Sequence, residues 1–143
     1  MTTNSDDLLQ ITRDTRGVVT LTLNDPARFN ALGSEMLSAL QRALDDAGRD
    51  ESVRVVVLAA AGKAFCAGHN LKDMAAHPEL AYYQQLFAQC SRMMLTIHKL
   101  SVPVIARVQG MATAAGCQLV AQCDLAVAAD TASFATSGIH YGL

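Results

Sequence analysis

Two glycine-bearing segments have the residue types and the setting of a site that holds an anionic oxygen. They are Ala64–Leu71, with a glycine at 68, and Gly110–Gln118, with a second glycine at 116. Each follows an apolar run typical of a strand and leads towards a helical segment, so each turn can leave backbone N–H groups unpaired. Small residues at both turns allow a ligand to approach the main chain closely. Two such N–H groups converging on one point would stabilise negative charge on an oxygen.

The hydrophobic pattern predicts the elements that position these turns. Strands are predicted at Leu9–Arg13, Val18–Asn24, Val53–Ala61, Val102–Val108, Leu125–Ala129 and Ser133–Thr136. The helical spacing of Met36, Leu37, Leu40 and Leu44 predicts a helix that is capped by Ser34 and ends near Gly48. Two further helices are predicted from Pro78 to about Leu100 and over Thr113–Gln122.

Strand–strand–helix units recur along the chain at intervals of a few dozen residues. This recurrence predicts an α/β domain with a repeating β-β-α organisation. Spacing alone is equally compatible with an ordinary doubly wound α/β sheet.

Composition and charge exclude several classes of protein. The chain is 51% hydrophobic and 17% charged, which is a globular composition, and its net charge of −2 gives no reason to expect nucleic acid or a membrane as partner. The four cysteines form no CxxC pair, so we expect reduced thiols and no metal site. Residues 1–7 are polar and show no export or transit pattern, and we expect a cytoplasmic protein.

Both glycine-bearing segments closely resemble the signatures of the enoyl-CoA hydratase/isomerase (crotonase) superfamily. The resemblance extends in order from about Val18 to Leu143. Residues 112–121 (ATAAGCQLVA) look most like the subgroup of enoyl-CoA hydratase domain-containing protein 3. The resemblance to this superfamily implies the crotonase spiral, in which β-β-α turns stack into two roughly perpendicular sheets wrapped by helices.

The resemblance also implies roles for particular residues. The N–H groups of His69 and Ala115 would form an oxyanion hole that polarises the carbonyl of an acyl-CoA thioester and holds its enolate. Residues that would contact the substrate or its coenzyme A arm are Arg28, Phe29, Ala31, Ala67, Gly68, Asn70, Leu71, Lys72 and Gly116. Most members of the family have an aspartate where this chain has Asn70, whose amide keeps the capping hydrogen bonds without the charge. The competing interpretation is that Gly68 and Gly116 only permit tight turns. Arg28 and Lys72 would then be solvated surface charges.

The acid–base pair of the family is where the pattern breaks. Hydratases of the family place two glutamates around the attacking water, and at these positions this chain has Gln118 and Gly138. An amide can orient a water or a substrate but cannot take its proton, and a glycine can do neither. His69 is interpreted as contributing only its backbone and His140 as a loop residue, although His69 is the better candidate of the two for a side-chain role. Cys66 and Cys117 are interpreted as packing residues.

The sequence therefore predicts an acyl-CoA thioester-binding protein of this family that stabilises a thioester enolate, nominally a lyase or isomerase. The alternatives are a catalytically weak acyl-CoA binding or regulatory protein and a base-independent reaction such as thioester decarboxylation. No cofactor is expected besides the coenzyme A of the substrate. We expect residues 1–143 to form the N-terminal core of the fold without the C-terminal lid and trimerisation helices, and we expect a homo-oligomer, a trimer or hexamer.

Overall fold

Strand pairs and helices alternate along the part of the chain that the computed structural model describes, residues 8–141. The strands are β1 (Leu9–Arg13), β2 (Val18–Leu23), β3 (Val55–Ala60), β4 (Ala64–Cys66), β5 (Val104–Val108), β6 (Met111–Thr113), β7 (Leu125–Ala128) and β8 (Phe134–Ala135). The helices are α1 (Ser34–Arg49), α2 (Leu71–Ala76), α3 (Leu80–Lys99) and α4 (Ala115–Gln122). Short 3₁₀ turns occupy Pro26–Arg28 and Ser137–Tyr141.

The strands form two sheets, and each strand pair from β3–β4 onward contributes one strand to each, whereas β1 and β2 both belong to the larger sheet. The five-stranded sheet has the order β1-β2-β3-β5-β7, with β1 antiparallel to β2 and the other neighbours parallel. The second sheet has the order β4-β6-β8 and is parallel. The β-β-α organisation is confirmed, since β3–β4, β5–β6 and β7–β8 repeat one pattern.

The core lies between the five-stranded sheet and helices α1 and α3. Strand β2 alternates between buried and half-buried residues, as its sequence pattern requires. The apolar positions that predicted the first long helix, Met36, Leu37, Leu40 and Leu44, are all buried, and α3 buries Leu86, Met93, Met94 and Ile97. Each fully buried side chain of this size contributes about 1.5–3 kcal/mol of transfer free energy.

Several predicted element boundaries are wrong for local reasons. Gly33, not Ser34, is the N-cap residue of α1, and the Ser34 hydroxyl instead donates to Gln89 Oε1 at 2.7 Å. Helix α3 begins at Leu80 and follows a separate short helix, α2, that the pattern did not indicate.

The fourth helix also begins later than predicted. Thr113 belongs to β6, and the Ala114 N–H donates to the Ala135 carbonyl at 2.9 Å, so α4 begins at Ala115. The strand predicted at Leu9–Arg13 is observed with those bounds, and the other predicted strands are shorter by one or two residues at one or both ends.

The prediction about an export or transit peptide falls on residues 1–7, outside the described part of the chain. Within residues 8–141, no helix combines the length and the apolar character that crossing a lipid bilayer requires.

Candidate functional site

The two glycine-bearing turns meet at the end of the three-stranded sheet, because β4 and β6 are parallel neighbours. Gly68 adopts φ +87°, a conformation that favours glycine. A Cβ at Gly68 would lie 3.1 Å from the Ala115 nitrogen and 3.1 Å from the Thr113 oxygen. The absence of a side chain at Gly68 therefore lets the first turn approach the start of α4.

Two N–H groups at this junction are unpaired. Neither the His69 N–H nor the Ala115 N–H donates a hydrogen bond to any residue within 8–141. Their neighbours are paired, since the Ala67 N–H donates to the Phe29 carbonyl at 3.0 Å and the Gly68 N–H lies 3.5 Å from Cys66 Sγ. The junction thus presents two backbone donors from adjacent turns.

The backbone that leads into α4 is strained. Ala114 has φ 50° and ψ −125°, a combination that non-glycine residues rarely adopt. Gly116 follows, and a Cβ there would lie 2.2 Å from the Cys66 carbonyl oxygen. Close packing of α4 on the end of β4 holds the Ala115 N–H at the junction.

A cavity of about 750 Å³ opens beside these donors. His69, Ala115 and Gln118 line it, together with side chains of α3 and of the segment after β8. The wall is mostly apolar, with Ala67, Leu71, Phe87, Ala121 and Ile139 among its residues. One polar feature is a hydroxyl pair, Thr113 Oγ1 and Ser137 Oγ, at 2.6 Å.

The structure brings both departures from the hydratase pattern to this cavity. Gln118 and Gly138 lie on its wall, and no aspartate or glutamate among the described residues lines it. Neither a carboxamide nor a glycine can exchange a proton with a substrate, so these two positions supply no acid or base to the cavity. His140 lies in the 3₁₀ turn Ser137–Tyr141 and does not line the cavity.

The His69 ring is held on the cavity wall. Its Nδ1 lies 2.9 Å from the Leu32 carbonyl oxygen, and its ring meets the Phe87 ring edge to face with centroids 5.2 Å apart. Burial lowers the pKa of His69, against a smaller opposing effect of the Leu32 carbonyl. His69 is therefore neutral at pH 7.

The remaining predicted contact residues divide between two places. Ala67 and Leu71 line the large cavity, whereas Arg28, Ala31 and Asn70 line a neighbouring cavity of about 310 Å³. Arg28 forms an ion pair with Asp25 at 2.6 Å. Phe29 and Lys72 are exposed and line neither cavity.

Asn70 caps α2, as expected for an amide at this position. Its Oδ1 accepts from the Lys72 N–H at 3.1 Å and the Asp73 N–H at 3.4 Å. Asp73 accepts from the Asn70 amide at 2.8 Å, in keeping with a capping role.

One polar residue behind the site, Asn30, was not indicated by the sequence pattern. It is fully buried and bonds to main-chain atoms of Asp25, Ala61 and Ala64, the last two before and at the start of the first turn. All four cysteines are free, with Cys66 and Cys90 buried and the other two half-buried.

The two sheets, the β-β-α repeat and the site at the junction of two turns define an α/β protein of the crotonase fold. The chain belongs to the enoyl-CoA hydratase/isomerase family, whose model matches residues 13–143.

Relatives and solved structures agree with this assignment. The chain is 42% identical over 135 residues to enoyl-CoA hydratase domain-containing protein 3 of Xenopus laevis, covering 94% of this chain and 46% of that protein. It resembles the solved structure of an enoyl-CoA hydratase of Mycobacterium smegmatis at 64% identity and a TM-score of 0.93, covering 95% of this chain and 53% of that one. The solved human enoyl-CoA hydratase domain-containing protein 3 gives 40% identity and a TM-score of 0.90, with 95% and 53% covered.

The chain spans about half the length of the curated relatives that it matches. The predicted cytoplasmic location is wrong by this comparison. The domain-containing protein 3 relatives from frog, rat, mouse, human and zebrafish are all named mitochondrial. The prediction failed because amino-acid composition does not identify a cellular compartment.

Proposed function

We propose that this chain binds acyl-CoA thioesters and stabilises the enolate of the thioester through the N–H groups of His69 and Ala115. The observation that carries the proposal is the pair of unpaired donors from adjacent turns beside a cavity. Donors fixed in this way stabilise the charge that develops on a carbonyl oxygen, and losing one typically costs about 3 kcal/mol of barrier lowering.

The two cavities suit the two parts of such a ligand. The large cavity, with its apolar wall, would take the acyl group, and the smaller one would take part of the coenzyme A arm near Arg28 and Ala31. The ion pair with Asp25 leaves Arg28 hydrogen-bonding capacity for a phosphate, because a guanidinium carries five N–H donors. Coenzyme A thus enters as part of the substrate.

Hydration by two carboxylates is not the reaction that this site supports. Gln118 and Gly138 occupy the relevant wall, so hydration of crotonyl-CoA should be far slower than the roughly 10 per second typical of enzymes. The same wall favours decarboxylation of a malonyl-type thioester as a second candidate. There the C–C bond breaks, its electron pair enters the enolate, and carbon dioxide leaves without a base. The enolate carbon then takes a proton from water, which gives acetyl-CoA and hydroxide.

Calorimetry can test the donors directly. Acetyl-CoA and its S-ethyl thioether analogue differ in the carbonyl oxygen, so acetyl-CoA should bind about tenfold more tightly if two N–H groups hold that oxygen. Gly68→Ala places a Cβ 3.1 Å from the Ala115 nitrogen and should abolish this preference. Gly17→Ala is the matched control, because Gly17 also has a positive φ, +82°, and does not line the cavity.

Equal affinity of the unmodified chain for the two ligands would contradict the proposed donors. Rapid hydration of crotonyl-CoA would contradict the interpretation of the cavity wall. Release of acetyl-CoA from malonyl-CoA would favour the second candidate, and binding without any turnover would indicate a binding or regulatory protein.

A further inference from the structure

The hydrogen bond at the His69 ring fixes its tautomer. A backbone carbonyl can only accept, so the 2.9 Å contact with the Leu32 oxygen requires a proton on Nδ1. The neutral ring therefore carries its lone pair on Nε2.

Nε2 is the ring atom that is available for chemistry. It has no hydrogen-bond partner among the described residues, and it is not among their fully buried unpaired side-chain atoms. His69 lines the large cavity, and its Nε2 is not sealed from solvent. Contacts to Leu32 and Phe87 hold the ring from two sides.

His69 has little competition as a proton acceptor. The other acid–base side chains on the cavity wall are the thiols of Cys90 on α3 and Cys117 on α4, and burial raises the pKa of Cys90. Asp73 on α2 is bonded to Asn70 and lines the smaller cavity. The other charged groups of that smaller cavity are Asp25, Arg28 and Glu35, with His77 beside them.

We propose that the His69 side chain is the general base of this site and removes a proton from the carbon next to the thioester carbonyl. The proposal rests on the proposed function. The C–H bond breaks, its proton passes to Nε2, and its electron pair forms the enolate, whose oxygen the His69 and Ala115 N–H groups hold. The imidazolium then returns the proton to the carbon skeleton, so the cycle balances without any co-reactant.

One residue would thus supply both an oxyanion donor and the base. The thioester oxygen and the reacting carbon are two bonds apart, and the backbone N–H and Nε2 belong to the same residue, His69. Two neighbouring atoms of the substrate would therefore meet two groups of one residue. The substrates that this arrangement suits are acyl-CoA thioesters with an acidic hydrogen on the carbon next to the carbonyl. A carboxylate at Gln118 or Gly138 is then not needed for enolate formation.

Exchange of hydrogen for deuterium tests this role without any assumption about the product. Acetyl-CoA incubated with the chain in D₂O should acquire deuterium in its methyl group, measured by mass spectrometry against a blank without protein. His69→Gln keeps the backbone N–H and an amide donor for the Leu32 carbonyl but removes the base. It should slow exchange about 100-fold or more, while acetyl-CoA affinity changes by less than about threefold.

His98→Gln is the matched control, because His98 is an exposed histidine near the end of α3. It should exchange like the unmodified chain. Exchange that persists in His69→Gln would overturn the proposal, as would an unmodified chain that binds acetyl-CoA without exchanging it. Failure to bind acetyl-CoA at all would overturn the proposed function and this inference together.

The pH profile of the unmodified chain gives a second readout that does not depend on how a variant folds. A base acts in its neutral form, so exchange should be constant above the pKa of His69 and fall as the pH drops through it. Burial lowers this pKa below its ordinary value of 6.5, so the midpoint should lie below 6.5. A rate that rises as the pH drops, or that falls with a midpoint above 6.5, would exclude His69 as the base.

Discussion

At the scale of single residues, Asn30 supports the turn that carries His69. Its Oδ1 accepts from the Asp25 N–H at 2.8 Å, and its Nδ2 donates to the carbonyls of Ala61 at 2.8 Å and Ala64 at 3.0 Å. Its φ of 53° is one that asparagine tolerates better than most residues. A short amide is therefore suited to this position on both counts.

Replacing Asn30 should be costly. Asn30→Ala removes the side-chain partner of the partly buried Asp25 N–H and Ala61 carbonyl, while the Ala64 carbonyl keeps a second donor, Gln109. It also keeps the unfavourable φ, so we expect the free energy of unfolding to fall by about 3 kcal/mol. Urea denaturation followed by circular dichroism measures this change. Gln10→Ala, at an exposed site on β1, should stay within about 0.5 kcal/mol, and a similarly small effect at Asn30 would contradict the role.

The sequence indicated the chemistry of individual residues better than their burial. The Asn70 cap and the positions of Gln118 and Gly138 followed from motif and spacing, and the structure places the last two on one wall. Asn30 was not predicted to be buried, because two of its three partners, Ala61 and Ala64, are 31 and 34 residues away and only the tertiary fold brings them together. The same holds for the His69 contact with Leu32, 37 residues away.

At the scale of elements, the close contact between α4 and β4 orients the second donor. Gly116→Ala would place a methyl group 2.2 Å from the Cys66 carbonyl, so α4 must shift or the contact must break. We expect a loss of about 1–3 kcal/mol in stability and a weaker preference for acetyl-CoA over its thioether. Thermal denaturation and calorimetry on the same samples measure both.

Gly48→Ala is the control for that substitution. A Cβ there would meet only the end of the Leu100 side chain, at 2.9 Å, and alanine favours a helix interior. Its stability should be unchanged or slightly higher, and its ligand preference should not change. If both variants behave alike, the α4–β4 contact does not determine the donor geometry.

Long elements were predictable and short ones were not. Helices α1 and α3 have 16 and 20 residues, enough for their apolar positions to repeat several times. Strands β4 and β6 have three residues each, which is too short for a periodic signal, yet they bring the two turns together. Tertiary pairing, rather than local pattern, therefore builds the site.

At the scale of the whole molecule, the resemblance identified the fold that spacing alone left ambiguous. A doubly wound sheet and the observed architecture share the same alternation of strands and helices along the chain. They differ in how successive strands are divided between sheets, and that division depends on the second sheet of two- and three-residue strands. The motif residues indicated how the strands are divided between the two sheets, because these residues form the turns that the second sheet positions.

Self-association is the prediction that concerns the whole molecule. Strand β7 is at the edge of the five-stranded sheet, and Leu125 and Val127 are 62% and 66% exposed on one of its faces. Phe134 on β8, the edge strand of the three-stranded sheet, is 49% exposed, and Ile139 is 78% exposed. Exposed apolar side chains on an unpaired edge favour association with another chain. We therefore expect light scattering to report an oligomer at tens of micromolar.

Leu125→Lys combined with Val127→Lys should shift it towards monomer, because burying two charges in the contact is unfavourable. Leu80→Lys, at a 70% exposed leucine at the start of α3, should leave the mass unchanged. A monomer at that concentration would contradict association through this edge, and an oligomer that withstands the double substitution would place the contact on another surface.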